Sequence, residues 1–270
     1  MSVKESKTEL FTVAGTDTVE SGPGSEVFNS RKIVTTFERY IQPCLAEVVG
    51  CALFIFVGCG SVIENAGVAG SIQPALAHGL ALVIVIAVLG EISLSEYSGG
   101  HFNPAVSVSV CISGGLDVIL LGPYILSQMV GGMIGAGLAK AASSIISYAS
   151  AAGGVFNVVK TSGAIGSATV AEIVMTLFLS LVVCMGAVNG RTRTPLAPLC
   201  IGLTVTANIL AGGSVSGGCM NPARAFGPAV VANYWEYHWI YWVGPMAGAL
   251  ITGSLVRLLL GDQKTRLVLK

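Results

Sequence analysis

The sequence predicts an all-α polytopic membrane protein, with six transmembrane helices plus two half-helices in an inverted repeat. Three observations carry this. The chain of 270 residues is 53% hydrophobic and only 10% charged, whereas soluble domains carry about 25% charged residues. Apolar segments recur at about 41–62, 73–93, 119–141, 168–189, 196–213 and 237–261. Each is near the ~20 residues that cross a bilayer, the fifth being short. One tripeptide occurs twice, as Asn103-Pro104-Ala105 and Asn221-Pro222-Ala223, each time after a glycine-rich turn.

Taken in order, residues 1–36 are rich in Ser, Thr, Gly and Glu. They predict a disordered cytosolic tail. They lack an apolar core, so no cleavable signal peptide is expected. A membrane domain follows over 37–268. Its first repeat covers about 41–141 and its second about 168–261. Ala46-Glu47-Val48-Val49 opens the first repeat and Ala171-Glu172-Ile173-Val174 the second. Three spans per repeat is an odd number, so the second repeat enters the membrane inverted. Such repeats with broken helices place a site at the midplane between them.

An even number of spans puts both termini on one side. With the termini cytosolic, Lys4, Lys7, Arg31, Lys32, Arg39, Arg191, Arg193, Arg257, Lys264, Arg266 and Lys270 all lie inside; Lys140, Lys160 and Arg224 do not. That asymmetry predicts cytosolic termini, in the plasma membrane or an intracellular one. Gly131-x-x-x-Gly135 and Gly244-x-x-x-Gly248 predict close helix packing and no other role. The cluster Tyr234, Trp235, Tyr237, Trp239, Tyr241 and Trp242 predicts an interfacial aromatic belt. The seven cysteines (Cys44, Cys51, Cys59, Cys111, Cys184, Cys200 and Cys219) form no CxxC pair. Neither a metal site nor a disulfide frame is expected. No cofactor or nucleic-acid partner is implied; the lipid bilayer is the expected surrounding.

The chemistry centres on the two tripeptides. Asn is a strong helix N-cap and Pro suits the first helical position. Each triplet therefore starts a helix, over Val106 to about Ile112 and Arg224 to about Ala232. About ten residues reach only ~15 Å, half of the hydrocarbon core. A capping Asn accepts through its oxygen, which leaves its NH₂ donors to face a polar molecule. The turn carbonyls of Gly99, Gly100 and His101, and of Gly217, Gly218 and Cys219, would line a water-filled cavity, the setting that tolerates irregular backbone at membrane depth. Glu47 and Glu172 are expected to brace those turns, because a buried carboxylate must find donors. A proton relay through them is the lesser alternative. Arg224, with His78 near the end of the second span, suggests a lined constriction.

Two Asn-Pro-Ala turns, the second extended to Asn-Pro-Ala-Arg, in a six-span inverted repeat resemble the aquaporin (major intrinsic protein) family over about residues 37–268. The resemblance implies the aquaporin fold, a homotetramer, and a passive channel for water and small neutral solutes that excludes protons and ions. It also implies a four-residue filter at His78, Ile209, Gly218 and Arg224. That composition is wider and more apolar than in water-only members, as in members that pass ammonia and hydrogen peroxide. Glycerol-type members carry Asp after Asn-Pro-Ala-Arg, where this chain has Ala225. A glycerol or urea facilitator is the alternative, followed by a secondary active transporter or a structural junction protein; few ionisable groups in the spans argue against the transporter. One departure is Leu94-Ser95-Glu96-Tyr97, inserted before the first glycine turn. It leaves the shape of the inner mouth open.

Overall fold

The computed structural model describes residues 35–92, 100–263 and 266–268. The expected tail, all but its last two residues, lies outside the described residues, as do Leu94–Tyr97 and Gly99. Among the described residues, regular structure is helical throughout. The helices are α1 (Gln42–Glu64), α2 (Ile72–Leu89), α3 (Pro104–Ile112), α4 (Val118–Ala142), a short α5 (Ile145–Ser150), α6 (Ile165–Val183), α7 (Ala197–Gly212), α8 (Pro222–Ala232) and α9 (Ile240–Leu255). α1, α2 and α4, together with α6 and its flanking helical turns (Ser162–Val188) and α9 with the π-helical turn that continues it to Leu260, are long and apolar enough to cross a membrane. α7, with 16 residues, rises only ~24 Å. It is the segment whose sequence is short for a span.

The half-helices begin where local chemistry dictates. Asn103 is extended at φ −161° and its side chain accepts from Ala105 N. Asn221 is extended at φ −147° and accepts from Ala223 N and Arg224 N. Proline then takes the first helical position in both, where its missing N–H costs nothing. α8 stops at Asn233, whose backbone is left-handed at φ 52°, a conformation Asn tolerates well.

Packing exchanges the half-helices between repeats. α1 packs on α4 and α6 on α9, so each repeat has its own helix pair. α3 of the first repeat, however, packs on α9 of the second, and α8 of the second packs on α4 of the first. α2 against α7 completes the ring. The glycine pairs permit the tight contacts. A methyl on Gly131 would strike the Val48 carbonyl, and one on Gly248 the Ile173 carbonyl.

The outer surface follows from lipid as solvent. Ile72, Leu76, Leu80, Ile84 and Val88 are exposed at four-residue spacing along α2, a stripe on one helix face. The interior instead holds Glu47, His78, Asn103, Gln128, Glu172, Asn221 and Arg224. In hydrocarbon, polar groups must find partners inside the protein.

Candidate functional site: a lumen between two crossed turns

Each half-helix is entered through a sharply bent turn. Phe102 (φ 50°) and Met220 (φ 55°) are left-handed although neither is glycine. Such a conformation persists only where surroundings over-determine it. A carboxylate does so in each repeat. Glu47 accepts from His101 N at 2.6 Å and Phe102 N at 2.7 Å. Glu172 accepts from Cys219 N at 2.8 Å and Met220 N at 2.7 Å. The two carboxylates therefore hold equivalent consecutive amides, one in each half of the chain.

The asparagines differ from the sequence expectation in one respect. Their NH₂ groups are not wholly free. Asn103 Nδ2 donates to the Met220 carbonyl at 2.8 Å, and Asn221 Nδ2 donates to the Phe102 carbonyl at 2.8 Å. The reason is the left-handed backbone, which leaves those two carbonyls without helical partners. Each asparagine thus caps its own helix, clamps the other repeat's turn, and keeps one N–H for the lumen.

Both asparagines line one cavity of about 230 Å³. At one end its wall includes His78, Phe156, Ile209, Gly217, Gly218, Cys219 and Arg224; beyond the asparagines it includes Leu82, Ile86, Leu179, Val183 and Val188. Gly100 and His101 also face it. All four residues that the resemblance assigns to a filter thus share one cavity, and the described turn residues share it too.

Arg224 is 1% exposed and is held from three directions. Its Nε donates to His78 Nε2 at 3.1 Å, and its Nη1 donates to the Gly154 carbonyl at 3.0 Å. Its guanidinium lies 4.7 Å from the centre of the Phe156 ring, a cation–π contact. His78 Nδ1 lies 2.6 Å from the Pro74 carbonyl. A carbonyl only accepts, and Arg224 only donates. His78 is therefore neutral, with its proton on Nδ1. Glycine at 58 makes room for the ring, because a Cβ there would sit 2.6 Å from His78 Nε2. Gly218 is left-handed at φ 68°, and a Cβ on it would lie 3.1 Å from Ile209 Cα. Cys219 Sγ donates to the Asn221 carbonyl at 3.0 Å.

Several participants escape the sequence reading. Phe156 and the Gly154 carbonyl come from the segment between α5 and α6, which carries no motif. Its signal is the pair Gly153-Gly154, both left-handed at φ 68° and 75°. Gln128, a fully buried amide in α4, donates to Glu47 Oε2 and to Ser107 Oγ, both at 2.8 Å. A polar residue inside a span is itself a functional signal. The aromatic belt needs a correction at Tyr241. It is 1% exposed, its hydroxyl donates to the Ser216 carbonyl at 2.8 Å, and its ring lies 4.8 Å from that of Phe156. It sits on the inward face of α9, so it secures the second turn rather than facing lipid headgroups. Trp235 and Trp239 remain exposed at 47% and 48%. Beside them, burial holds His238 below its usual range, and Trp242 Nε1 donates to its Nε2 at 3.0 Å.

The pattern of the major intrinsic protein family matches residues 34–256. The chain belongs to the major intrinsic protein, or aquaporin, family. It is 57% identical to Aquaporin-8 of Mus musculus over 234 residues, covering 87% of this chain and 88% of that protein. It is 38% identical to Aquaporin TIP1-2 of Zea mays over 233 residues, covering 83% and 87% respectively. Among solved structures, the aquaglyceroporin from Plasmodium falciparum superposes with a TM-score of 0.65 at 20% identity, over 82% of this chain and 97% of that chain. That likeness concerns the fold. Aquaporin membership makes the protein a multi-pass membrane channel and not an enzyme.

Proposed function

We propose that this aquaporin is a passive channel for water and small neutral solutes, ammonia and hydrogen peroxide among them, and that it excludes protons and ions. The observation that carries the reading is the crossed asparagine pair, each amide with one N–H left for the same lumen. A water molecule there accepts from both amides through its oxygen. Its hydrogens must then point away along the pore, one toward each end. No water at that point can pass a proton on through the file.

Electrostatics supports the same selectivity. Both half-helix N-termini meet at the asparagines, and each presents about half a positive charge. Arg224 adds a full one. A cation would shed much of its hydration, at a cost of several kcal/mol, without fixed oxygens to replace the shell. Ammonia is neutral; it accepts from Arg224 or the asparagines and donates to the turn carbonyls. His78, Ile209, Gly218 and Arg224 act as the filter in this reading, with Cys219, Gly217, Gly100 and His101 as lumen wall and Glu47 and Glu172 as braces. Ala225 in place of an acidic residue disfavours glycerol. The charge asymmetry of the loops favours cytosolic termini, and the family resemblance favours a homotetramer.

Stopped-flow measurements on reconstituted vesicles, comparing water, ammonia and urea, test the reading. Water and ammonia are expected to pass. The double variant His78→Phe with Ile209→His narrows the filter, so ammonia flux falls sharply while water flux survives. Equal ammonia flux in variant and parent would remove the filter assignment.

A further inference from the structure

Two facing parts of the lumen wall near Arg224 are carried by neighbouring helices, His78 by α2 and Ile209 by α7. These helices touch backbone to backbone. A Cβ on Gly79 would strike the Gly202 carbonyl, and one on Gly202 would strike the Gly79 carbonyl. One turn from this crossing a second contact joins them. Thr206 Oγ1 of α7 donates to the Ala75 carbonyl of α2 at 3.2 Å and to the Gly202 carbonyl of its own helix at 3.3 Å, one proton being shared between the two oxygens. Ala75 precedes Gly79 and Thr206 follows Gly202, so the helices run antiparallel and both contacts share one seam. The neighbouring Pro74 carbonyl takes the His78 ring through Nδ1. One turn of α2 therefore aims the histidine and also receives the tie from α7, three residues before Ile209. Thr206 is buried, and it stands behind the wall: Val205 and Ile209 line the lumen, whereas Thr206 does not.

We propose that Thr206 is a positioning residue for selectivity: its hydroxyl ties α7 to α2, sets the gap between Ile209 and His78, and so limits the breadth of solute admitted. Two helices that cross diverge on either side of their contact. The crossing is held by Gly79 and Gly202, and the histidine and isoleucine stand on the diverging side, where Thr206 bridges the seam. Threonine hydroxyls bond between helices inside a membrane because no water competes for them. Valine keeps the shape of threonine but puts a methyl where the hydroxyl was. The methyl has no proton to donate, so the Ala75 oxygen then faces carbon. An O–H···O hydrogen bond closes to about 2.5–3.0 Å, whereas carbon and oxygen settle at about 3.3–3.6 Å. The seam loses its attraction and parts on the filter side. Urea is planar and broader than water or ammonia, so it is the solute that reads the gap.

The inference rests on the water-channel reading and on His78 and Ile209 as filter walls. The full chain and its variants Thr206→Val, Thr206→Ser and Thr252→Val are reconstituted, and water and urea permeability are measured on the same vesicles. Thr252 is the control. Its Oγ1 makes an interhelical bond of the same kind, from α9 to the Leu177 carbonyl of α6 at 3.0 Å, and neither residue lines the lumen. Thr206→Val is expected to raise the urea-to-water permeability ratio by about threefold or more, equivalent to about 0.7 kcal/mol between the two barriers. Thr206→Ser keeps the hydroxyl and returns the parental ratio. Thr252→Val lowers the unfolding temperature and leaves the ratio unchanged. If valine prevents folding, Thr206→Ala removes the same proton without the methyl, and the same rise is expected. A parental ratio in the folded valine or alanine variant, a raised ratio in Thr206→Ser, or an equal rise in Thr252→Val overturns the proposal. Crystal structures of the parent and the valine or alanine variant test it without flux. A wider separation of His78 from Ile209 is expected, and an unchanged separation overturns the proposal whether or not the protein conducts. Water flux in the parent no greater than that of bare vesicles counts against the water-channel reading instead.

Discussion

The two glycine turns do the same task with different supports. In both, a buried glutamate takes two consecutive backbone N–H groups, and an asparagine caps its helix while clamping the opposite turn. The third donor differs. Glu47 receives Gln128 from the neighbouring α4, which also holds Ser107. Glu172 receives Ser216 Oγ from its own turn at 2.6 Å, and Tyr241 of α9 secures that turn through the Ser216 carbonyl. The first turn leads into Val106 and the second into Arg224. The difference teaches that backbone support is duplicated, whereas the buried guanidinium with its histidine, carbonyl and aromatic partners stands at the second turn only. The second turn gives up a buried amide brace and gains a tyrosine whose ring supports Phe156 beneath Arg224.

The strongest way to break this comparison is at the shared part. Glu47→Ala or Glu172→Ala leaves two buried N–H groups without an acceptor, each costing about 1–3 kcal/mol. Both variants are expected to lose several kcal/mol, seen as a large drop in unfolding temperature in detergent or loss of folded protein. A loss in one repeat only would mean that the turns are not supported alike.

Next come the asparagines. Asn103→Asp and Asn221→Asp keep the cap oxygen but remove the donor to the opposite carbonyl and the donor to the lumen. Water flux per folded channel is expected to fall by about tenfold or more, equivalent to about 1.4 kcal/mol on the barrier. Parental flux in both folded variants would remove the asparagines from the conduction path.

The smallest effects lie where the repeats differ. Gln128→Leu removes two hydrogen bonds, so about 2 kcal/mol is expected, and Tyr241→Phe removes one, so about 1 kcal/mol. Thermal unfolding measures both. Water flux should hold in each, and the phenylalanine ring should keep its place against Phe156. If Tyr241→Phe proves the more damaging, the tyrosine supports more than the turn.

How much of this was legible follows from the range of each interaction. The caps were, because Asn, Pro and Ala decide them over three residues. The glutamate braces were legible as a need, since a carboxylate in a span must find donors, but the identity of the amides awaited the fold. The second use of each asparagine was not legible. It depends on Phe102 and Met220 adopting left-handed backbone and presenting carbonyls across the interface between repeats. Phe156 was hidden because the segment that carries it reaches Arg224 by its tertiary path. Tyr241 was misread because an aromatic at a span end resembles its neighbours; only the helix face separates it from Trp239.

The central claim is that one lumen, clamped at its middle by both asparagines, carries water without carrying protons. Water permeability and proton flux measured on the same vesicles test it most directly. The account predicts water permeability well above that of protein-free vesicles, with proton flux no higher than theirs. Proton flux rising in step with water, or water flux no greater than that of the bare bilayer, would contradict it.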